Sequence, residues 1–508
     1  MTLGQAQVQI YGGEKCWSSI LKLAPCEAAC PINMRVSDYA TAIGREEFSE
    51  AYAVMRDATP LVAICGYACH HPCEGVCVRA QVDDPIAIRA LKRFVADRVL
   101  SGGLEKPSPA ERFRAERVAI IGSGPAGLAA AEGLVKGGYG VTIFEALPVA
   151  GGMLATGIPE FVLPRRILQA ELGCIQDLGV EIKTGTAIDS VDDLRGQGYG
   201  AVFLAVGAQQ SLKLNIPGAD MGGVLSALPL LQEVNLGKGA KLKGRVMVIG
   251  GGNVGVSAAR VAARLGAAEV SLACLECRED MPAFAWEIQK AEEEGVRIHC
   301  SLAPQRVVAK DGRVAGVSFA PVKSIEFDSQ GRIRPILEER PEQAIDADTV
   351  IVAIGQSPAL PTLSGMNLTP KGVVGVDPTS LATDVPGVFA GGDAVVGAGT
   401  VVESIAAGKR AARSIDRYLR GLELGEAPQP AAWEVMEEGV PKFVEKRQRR
   451  PVPTLPQAER LRSFQEVELP YSERDAVEEA RRCLNCPMCG NCMFDRVQMC
   501  HETGSRLL

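Results

Sequence analysis

The chain has 508 residues, of which 47% are apolar, and 54 Lys and Arg against 61 Asp and Glu give a net charge of −7. Its length predicts two to four domains, and its acidic balance argues against a nucleic-acid partner, which needs a basic face. No apolar stretch reaches the ~18 residues that a membrane-spanning helix needs. Since the first residues also lack the basic and apolar regions of a secretory signal, we expect a cytoplasmic protein without a membrane partner.

Residues 1–115 are predicted to form small helices around cysteine loops. Apolar residues recur at helical spacing in Ser37–Arg56 and Pro85–Leu100, and the second segment opens with a proline, which is favoured at helix starts. The two ends of the chain together hold twelve of its 16 cysteines. Because a reducing cytoplasm disfavours disulfides, such clustered thiols indicate metal sites.

A dinucleotide-binding pattern starts at residue 117. The predicted strand Arg117–Ile121 leads into a glycine turn and an alanine-rich helix, and Glu145 ends the next predicted strand, Val141–Glu145. The turn consists of Gly122, Ser123, Gly124, Pro125, Ala126 and Gly127. Its first glycine allows the tight turn, the second lets a pyrophosphate approach the backbone, and the third lets the helix pack on the strand. The acid then accepts from a ribose hydroxyl, although a purely structural turn is the alternative.

The same pattern returns after the predicted strand Arg245–Ile249. A second glycine turn precedes the predicted helix Ala258–Leu265 and strand Glu269–Leu275, and Glu276 stands where Glu145 stands in the first pattern. This turn consists of Gly250, Gly251, Gly252, Asn253, Val254 and Gly255. Two such turns predict two bound dinucleotides. The economical pair is a flavin with a nicotinamide nucleotide, because a bound flavin can convert two-electron hydride chemistry into one-electron steps.

A third segment, Thr383–Asp393 followed by Ser404–Ala412, resembles the C-terminal flavin motif of flavoproteins with two dinucleotide domains. The resemblance implies that Gly392 and Asp393 lie at the flavin, and that the chain crosses between the domains at Gly207 and Gly355. It predicts an α/β fold with two Rossmann-like domains: a split FAD domain (116–236 and 340–420) and a nicotinamide domain (237–339) inserted in it. A merely turn-capping Asp393 is the alternative.

The end of the chain differs in composition from the middle. Residues 421–475 are rich in proline and charge and are predicted to form an extended surface linker. Residues 476–508 are predicted to form a separate cysteine-rich module, because their CxxC spacing is typical of ferredoxin-like 4Fe–4S clusters. We expect its ligands to be Cys486, Cys489, Cys492 and Cys500, with Cys483 as a spare. Two zinc knuckles are the alternative.

The N-terminal cysteine loops and their neighbours resemble a known family. The segments Pro25–Pro31, Ile64–Cys69, Pro72–Cys77 and Arg89–Phe94 are similar to the N-terminal iron–sulfur domain of the glutamate synthase small-subunit family, which includes the flavin end of dihydropyrimidine dehydrogenase. Further family signatures match at Gly151–Leu154, Gly157–Phe161 and Met281–Ala283, and they place Gly152 and Leu154 at the cofactor. The resemblance implies an α-helical iron–sulfur domain and electron transfer among NAD(P)H, FAD and iron–sulfur clusters.

The resemblance also implies two sets of cluster ligands. In the family, residues matching Cys26 and Cys77 join an upstream CxxC pair, and residues matching Cys30, Cys69 and Cys73 join an acid or amide from the following helix. This sequence departs twice, because only Cys16 lies upstream and the helix position carries Lys92 or Arg93. We therefore expect at least one 4Fe–4S cluster here, with Cys16 and Cys65 as substitute ligands. A zinc site is the alternative.

The implied function is that of an NAD(H)-linked electron-transfer subunit in a larger oxidoreductase with ferredoxin-like clusters. A 2-oxoacid:acceptor oxidoreductase is the favoured partner, and glutamate synthase or aldehyde oxidoreductase subunits are alternatives, as is a scaffold without turnover. NAD(H) is predicted because Glu276 stands where family members that use NADPH commonly carry arginines, and its carboxylate would repel a 2′-phosphate. Arg278, two residues on, could still serve NADP(H).

Overall fold

Short helices build the N-terminal region, as predicted. The segment Ser37–Arg56 forms two helices instead of one, because Glu46 between them adopts a φ of 66°. The helix expected from Pro85 begins at Ile88. The elements are β1 (Lys22–Leu23), α1 (Pro25–Ala28), α2 (Val36–Gly44), α3 (Phe48–Ala58), α4 (Val62–Ala68), α5 (Pro72–Gly75) and α6 (Ile88–Ser101).

The computed structural model describes residues 22–102, 107–239, 241–328, 333–362, 365–425, 434–435 and 444–486. The expected cluster ligands Cys16, Cys489, Cys492 and Cys500 lie outside these residues. In the described part of the chain, no helix combines the length and the apolar character needed to cross a membrane.

Residues 117–204 alternate strands and helices and form most of the first parallel sheet. Their elements are β2 (Arg117–Ile121), α7 (Pro125–Lys136), β3 (Gly140–Phe144), α8 (Met153–Thr156), α9 (Arg165–Asp177), β4 (Glu181–Lys183), α10 (Val191–Gly196) and β5 (Ala201–Leu204). The strand order is β5-β2-β3-β4. Because Ile121 is in register with both Phe144 and Leu204, the carboxyl ends of the three central strands meet at one edge. Nucleotides bind at this edge in such sheets.

The next residues form the second domain. Its elements are β6 (Gln210–Ser211), β7 (Val224–Ser226), α11 (Ala227–Asn235), β8 (Arg245–Ile249), α12 (Asn253–Arg264), β9 (Glu269–Ala273), α13 (Ala285–Glu293), β10 (Arg297–His299), β11 (Leu302–Lys310), β12 (Arg313–Phe327), β13 (Ile333–Leu337), β14 (Gln343–Asp346) and β15 (Thr349–Val352). The order β10-β9-β8-β15-β7 makes a second parallel sheet, and β11, β12, β13 and β14 make an antiparallel one.

This second domain is longer than the predicted 237–339. Strand β15, predicted to belong to the FAD domain, lies inside the second sheet, where Val350 pairs with both Met247 of β8 and Val224 of β7. A strand with a neighbour on each side cannot belong to the other sheet. The chain enters and leaves this domain close to Gly207 and Gly355, the two predicted crossings, and just beyond them β6 pairs antiparallel with β16 (Gln356–Ser357).

The chain then completes the first sheet. Strand β17 (Val388–Ala390) pairs in parallel with β5, and α14 (Asp393–Val396) and α15 (Val401–Leu419) follow. A capping box between Thr400 and Glu403 fixes the start of α15. The first sheet is thus built from two stretches of the chain, one on each side of the second domain.

The C-terminal residues pack on the N-terminal helices, in contrast to the predicted separate module. Their elements are β18 (Glu434–Val435), α16 (Gln457–Arg460) and α17 (Glu473–Ala480). The predicted boundary at residue 476 falls inside α17, and Tyr471, Ala476 and Ala480 are buried in the hydrophobic core that contains α2 and α6. The apolar face of α17 is too short to give a core of its own, so it is buried against these helices.

Candidate dinucleotide and iron–sulfur sites

The first glycine turn has two glycines in close contact with neighbouring backbone and one that faces open space beside the N-terminus of α7. A Cβ on Gly122, whose φ is 104°, would lie 2.3 Å from the Ala205 carbonyl oxygen. A Cβ on Gly127 would lie 2.1 Å from the Gly122 carbonyl oxygen, so this glycine lets α7 pack on β2. In contrast, a Cβ on Gly124 would meet no atom within 4 Å. The open side is the one that a pyrophosphate would approach.

Glu145 follows β3 and lies beside this turn. Its Oε2 accepts hydrogen bonds from Ser123 N at 3.1 Å and Ser123 Oγ at 2.5 Å, and its Oε1 accepts from Leu147 N at 2.9 Å. The residue is only 6% exposed. The carboxylate is therefore held in one orientation at the position of a ribose-binding acid.

The second glycine turn repeats this geometry beside α12. A Cβ on Gly250 would lie 2.2 Å from the Ala353 carbonyl oxygen, and one on Gly255 would lie 2.1 Å from the Gly250 carbonyl oxygen. A Cβ on Gly252 would again meet no atom within 4 Å. Both turns thus have the space that a dinucleotide pyrophosphate requires.

Two residues of opposite charge follow β9. Glu276 lies against the second turn, with its Oε2 3.2 Å from the position of a Cβ on Gly251. Arg278 points to the surface, where its Nη2 lies 2.6 Å from Glu292 Oε2 and both side chains are about half exposed. The acid therefore lies beside the turn, and the arginine two residues on is paired with Glu292.

Asp393 begins α14 and lies near the first turn. Its Oδ1 accepts from Gly399 N at 3.2 Å and from Ser404 Oγ at 3.4 Å, and burial raises the pKa of this carboxyl. The turn-capping interaction is therefore present. Helix α15 approaches α7 closely, because a Cβ on Gly408 would lie 2.1 Å from the Ala126 carbonyl oxygen. This packing keeps Asp393 at the wall of the cavity beside the first turn.

One cavity of about 1250 Å³ connects the two turns. It is larger than the ~300–1,000 Å³ of a typical pocket for one small ligand. Every predicted cofactor residue except Gly127 and Gly255 lines it, and these two pack beneath their turns. The lining residues are Gly122, Gly124, Pro125, Ala126, Glu145, Gly152, Leu154, Gly207, Gly250, Gly252, Asn253, Val254, Glu276, Gly355, Gly392 and Asp393. Size and lining both suit two dinucleotides.

Four buried or nearly buried cysteines lie around the Lys92 side chain: Cys30, Cys65, Cys69 and Cys73. Burial lowers the pKa of the Lys92 ammonium, but the charges of these four thiolates raise it, and the net shift is upward. Arg93, the other residue at the expected acid position, turns away, and its guanidinium lies 4.1 Å from the centre of the Tyr67 ring. Cys69 also lines the large cavity, so this cysteine set adjoins the expected flavin site.

The other expected N-terminal ligands, Cys26 and Cys77, lie together at a second, smaller cavity. The same cavity is lined by Cys483 and Cys486 from the C-terminal segment. The structure therefore brings two cysteines from each end of the chain together. It separates them from the set around Lys92, although Cys26 and Cys73 are close enough to interact electrostatically.

Sequence reasoning did not single out several residues that shape these sites. The Glu171 carboxylate accepts from Ala63 N at 2.6 Å and Ile64 N at 3.0 Å, and so holds the start of the helix that carries Cys65. At the cavity wall, the Phe284 ring stacks on Trp286 and on His70. The two aromatic residues directly follow the Met281–Ala283 signature in a chain with only 5% aromatic residues, which is a signal that could have found them.

Comparison with known families now identifies the fold. Residues 116–411 match the pyridine nucleotide-disulphide oxidoreductase family, and residues 6–103 match the family described as dihydropyrimidine dehydrogenase domain II, 4Fe-4S cluster. The chain belongs to the pyridine nucleotide-disulphide oxidoreductase family. Its N-terminal region is a 4Fe–4S domain, and the predicted fold class is confirmed.

Three individual proteins that are similar in sequence to this oxidoreductase are subunits of larger enzymes or small chains. The NADP(+)-dependent formate dehydrogenase subunit beta of Moorella thermoacetica is 41% identical, over 91% of this chain and 70% of the relative. The NADPH-Fe(3+) oxidoreductase subunit beta of Geobacter sulfurreducens is 38% identical, over 91% of this chain and 75% of the relative. The glutamate synthase (NADPH) small chain of Escherichia coli is 31% identical, over 78% of this chain and 88% of the relative. The predicted relationship to the glutamate synthase small subunit is confirmed.

A solved structure agrees at the level of the fold. Mycobacterium tuberculosis FprA in complex with NADPH aligns with a TM-score of 0.52 and 18% identity, over 61% of this chain and 85% of FprA. Together, the family matches and relatives make this chain an NAD(P)H-linked FAD and iron–sulfur oxidoreductase.

Proposed function

We propose that this oxidoreductase transfers electrons between NADP(H) and 4Fe–4S clusters through a bound FAD, as one subunit of a larger complex. The single large cavity carries this proposal, because both glycine turns open into it and Cys69 lies on its wall. FAD is assigned to the turn at Gly122–Gly127 and the nicotinamide nucleotide to the turn at Gly250–Gly255. A flavin bound there accepts a hydride and passes the electrons on singly.

The protein's own residues bind and orient the two nucleotides. Gly124 and Gly252 leave room for the pyrophosphates, and the free N–H groups at the start of α7 and α12 face them. Glu145 accepts from a ribose hydroxyl of FAD, and its three hydrogen bonds from Ser123 and Leu147 keep it in place. Asp393, at the cavity wall near the first turn, would contact the ribityl chain of the flavin.

An aromatic stack lines the cavity where the iron–sulfur region meets the nicotinamide domain. The ring centroids of Phe284 and Trp286 are 4.7 Å apart, and those of Phe284 and His70 are 5.2 Å apart. Burial lowers the pKa of His70, which favours the neutral form of the ring in the stack. We propose that this stack excludes water from the place where the nicotinamide meets the flavin.

The cluster nearest the flavin is assigned to Cys30, Cys65, Cys69 and Cys73. Three of these match the family pattern, and Cys65 takes the place of the acid or amide that the pattern requires. The buried Lys92 supplies a positive charge beside the cluster, and this charge offsets the negative charge that four thiolates bring into a region of low polarity.

The nicotinamide nucleotide is where the sequence-based prediction changes. The carboxylate of Glu276 led to the prediction of NAD(H), but the three relatives described above are named for NADP(+) or NADPH. Arg278 can turn toward a 2′-phosphate without leaving a buried charge behind, since its partner Glu292 is about half exposed. We therefore propose NADP(H), with Arg278 at the 2′-phosphate and Glu276 at the other ribose hydroxyl.

Another subunit of a formate dehydrogenase is the first candidate for the partner, because the formate dehydrogenase subunit beta of Moorella thermoacetica aligns over 91% of this chain. The 2-oxoacid:acceptor partner stays a prediction. The glutamate synthase alternative has the support of a small chain at 31% identity.

The test is an anaerobic titration of the purified protein with NADPH. We expect the flavin absorbance to bleach and a reduced 4Fe–4S signal to appear afterwards in the electron paramagnetic resonance (EPR) spectrum. A protein that contains FAD and iron but is not reduced by NADPH or NADH would contradict the proposal and favour the non-catalytic scaffold.

A further inference from the structure

We propose that Cys483 and Cys486, from the C-terminal segment, complete a second 4Fe–4S site with Cys26 and Cys77 of the N-terminal region. The four thiols line one small cavity, although the two pairs are separated by about 400 residues of sequence. None of the four is in a disulfide. The site is distinct from the set around Lys92, and it does not depend on which nicotinamide nucleotide the protein uses.

The Cys483–Cys486 turn has the local geometry of a thiolate ligand loop. Asn485 adopts a φ of 52°, and this conformation directs its N–H toward Cys483 Sγ, at 3.4 Å. The same arrangement occurs at Cys69, where His71 has a φ of 45° and its N–H donates to Cys69 Sγ at 3.4 Å. Backbone N–H groups that point at sulfur stabilise thiolates and tune cluster potentials. The C-terminal loop therefore repeats a feature of the N-terminal 4Fe–4S domain.

Buried ion pairs fix this loop against the N-terminal region. Arg482, directly before Cys483, has a side chain only 1% exposed and donates to Asp83 Oδ1 at 2.8 Å and Glu479 Oε1 at 2.6 Å. Arg79, two residues after Cys77, donates to the Arg482 carbonyl oxygen at 3.2 Å. Thr41 Oγ1 donates to Asn485 Oδ1 at 2.8 Å from helix α2. These contacts hold the loop in a fixed position against the N-terminal domain.

The site also accounts for the departure from the family pattern. The family resemblance calls for a CxxC pair before Cys26, and this chain has only Cys16 there. Cys483 and Cys486 are a CxxC pair, and the fold of the C-terminal segment delivers them to Cys26 and Cys77. In this assignment Cys486 is not a ligand of the same cluster as Cys489, Cys492 and Cys500, although the sequence predicted that it would be. Cys483, which was predicted to be a spare cysteine, becomes a ligand.

A 4Fe–4S cluster is a better candidate than a zinc ion for these thiols, because residues 6–103 match a 4Fe-4S cluster family. Within the described residues, no three His, Cys, Asp or Glu side chains are close enough together to hold a single metal ion. Tetrahedral zinc needs all four sulfurs ~2.3 Å from one point. A cubane instead binds one thiolate at each of four separate irons, so its ligands stand around a gap.

Iron counts in single and double variants test the assignment. Cys483→Ala and Cys26→Ala are each expected to lose about four irons per chain, and both should lose the same EPR component. The double variant Cys26→Ala/Cys483→Ala should lose no more iron than either single variant, because the two residues bind the same cluster. Cys174→Ala, on helix α9 and lining neither cavity, serves as the matched control and is expected to keep all iron. The triple variant Cys489→Ala/Cys492→Ala/Cys500→Ala should keep the EPR component that depends on Cys483.

Three results would overturn the proposal: unchanged iron in Cys483→Ala, additive loss of about eight irons in the double variant, or zinc in place of iron at this site. FAD content per chain reports whether each variant still folds. Should the variants not fold, the wild-type chain stripped of iron is treated with dibromobimane, which bridges neighbouring thiols. The expected peptide joins Cys26 or Cys77 to Cys483 or Cys486, and bridging only among Cys483, Cys486 and Cys489 would contradict it.

Discussion

The Arg89 guanidinium on helix α6 lies 2.7 Å from the Glu468 carboxylate in the C-terminal segment, and both side chains are largely buried. Glu468 Oε1 also accepts from Lys290 Nζ at 2.7 Å, on helix α13 of the nicotinamide domain. One carboxylate therefore neutralises cations from two other regions of the chain. Although burial alone would raise the pKa of Glu468, Arg89 and Lys290 hold it well below its usual range.

Glu468→Gln is expected to destabilise the protein by ~3–5 kcal/mol at pH 7, because it removes the carboxylate that pairs with the buried Arg89 and leaves Lys290 with Glu287 alone. The measurement is the free energy of unfolding in denaturant, followed by fluorescence. Glu473→Gln is the matched control, since Glu473 pairs with Arg98 at 2.5 Å but both side chains are about half exposed. It should cost less than ~1 kcal/mol, and equal losses in the two variants would contradict the role of burial.

The same pair predicts how stability depends on pH. A carboxyl whose pKa is lower in the folded state contributes its full stabilisation above its unfolded pKa of ~4.3 and loses it as the pH falls toward the folded value. The wild-type protein should therefore lose stability below about pH 4.5 more steeply than Glu468→Gln does. Parallel pH profiles for the two proteins would show that Glu468 does not carry this dependence.

Gly124→Val is expected to abolish FAD binding while the fold survives, because the new side chain enters the open space beside the turn instead of another part of the protein. Gly252→Val is its counterpart: it should retain FAD but lose reduction by either nicotinamide nucleotide. Gly127→Ala should destabilise the FAD domain itself, since its Cβ would lie 2.1 Å from the Gly122 carbonyl oxygen. Flavin content, thermal unfolding and anaerobic reduction distinguish the three outcomes.

Lys92→Met is expected to lower the reduction potential of the cluster assigned to Cys30, Cys65, Cys69 and Cys73, because it removes the positive charge nearest to these thiolates. Lys92→Arg keeps the charge and should leave the potential close to that of the wild type. A redox titration monitored by EPR measures both. Equal potentials in Lys92→Met and the wild type would show that the ammonium does not face the cluster.

Much of the fold and of the nucleotide sites could be predicted from patterns among residues close together in the sequence. Each glycine turn lies within about 30 residues of its strand, its helix and the acid that follows. The order of these elements could therefore be inferred from a short stretch of sequence. The domain boundary was misplaced because β15 is separated from β8 by a hundred residues, and nothing local shows which sheet a short apolar strand joins. The position of Cys483 was missed for the same reason, since its partners lie at the other end of the sequence.

The nucleotide preference is the prediction on which sequence and relatives differ most sharply. Arg278→Ala is expected to lower kcat/KM for NADPH about 10- to 100-fold, which corresponds to the ~1.5–3 kcal/mol of a hydrogen bond to a charged group. NADH has no 2′-phosphate, so its kcat/KM should change little. Glu276→Arg is expected to raise the preference for NADPH further, because it replaces a repulsive charge with an attractive one.

Arg297→Ala is the matched control, because Arg297 is an exposed arginine of the same domain that pairs with Glu269 at the opposite end of the sheet. Its ratio of kcat/KM for NADPH and NADH should equal that of the wild type. A wild-type enzyme that prefers NADH, with no change in the ratio on Arg278→Ala, would assign the 2′ position to Glu276 alone. The proposal of NADP(H) would then be wrong, and the original prediction from the carboxylate would stand, while the roles of the FAD site and of both cysteine sets would be unaffected.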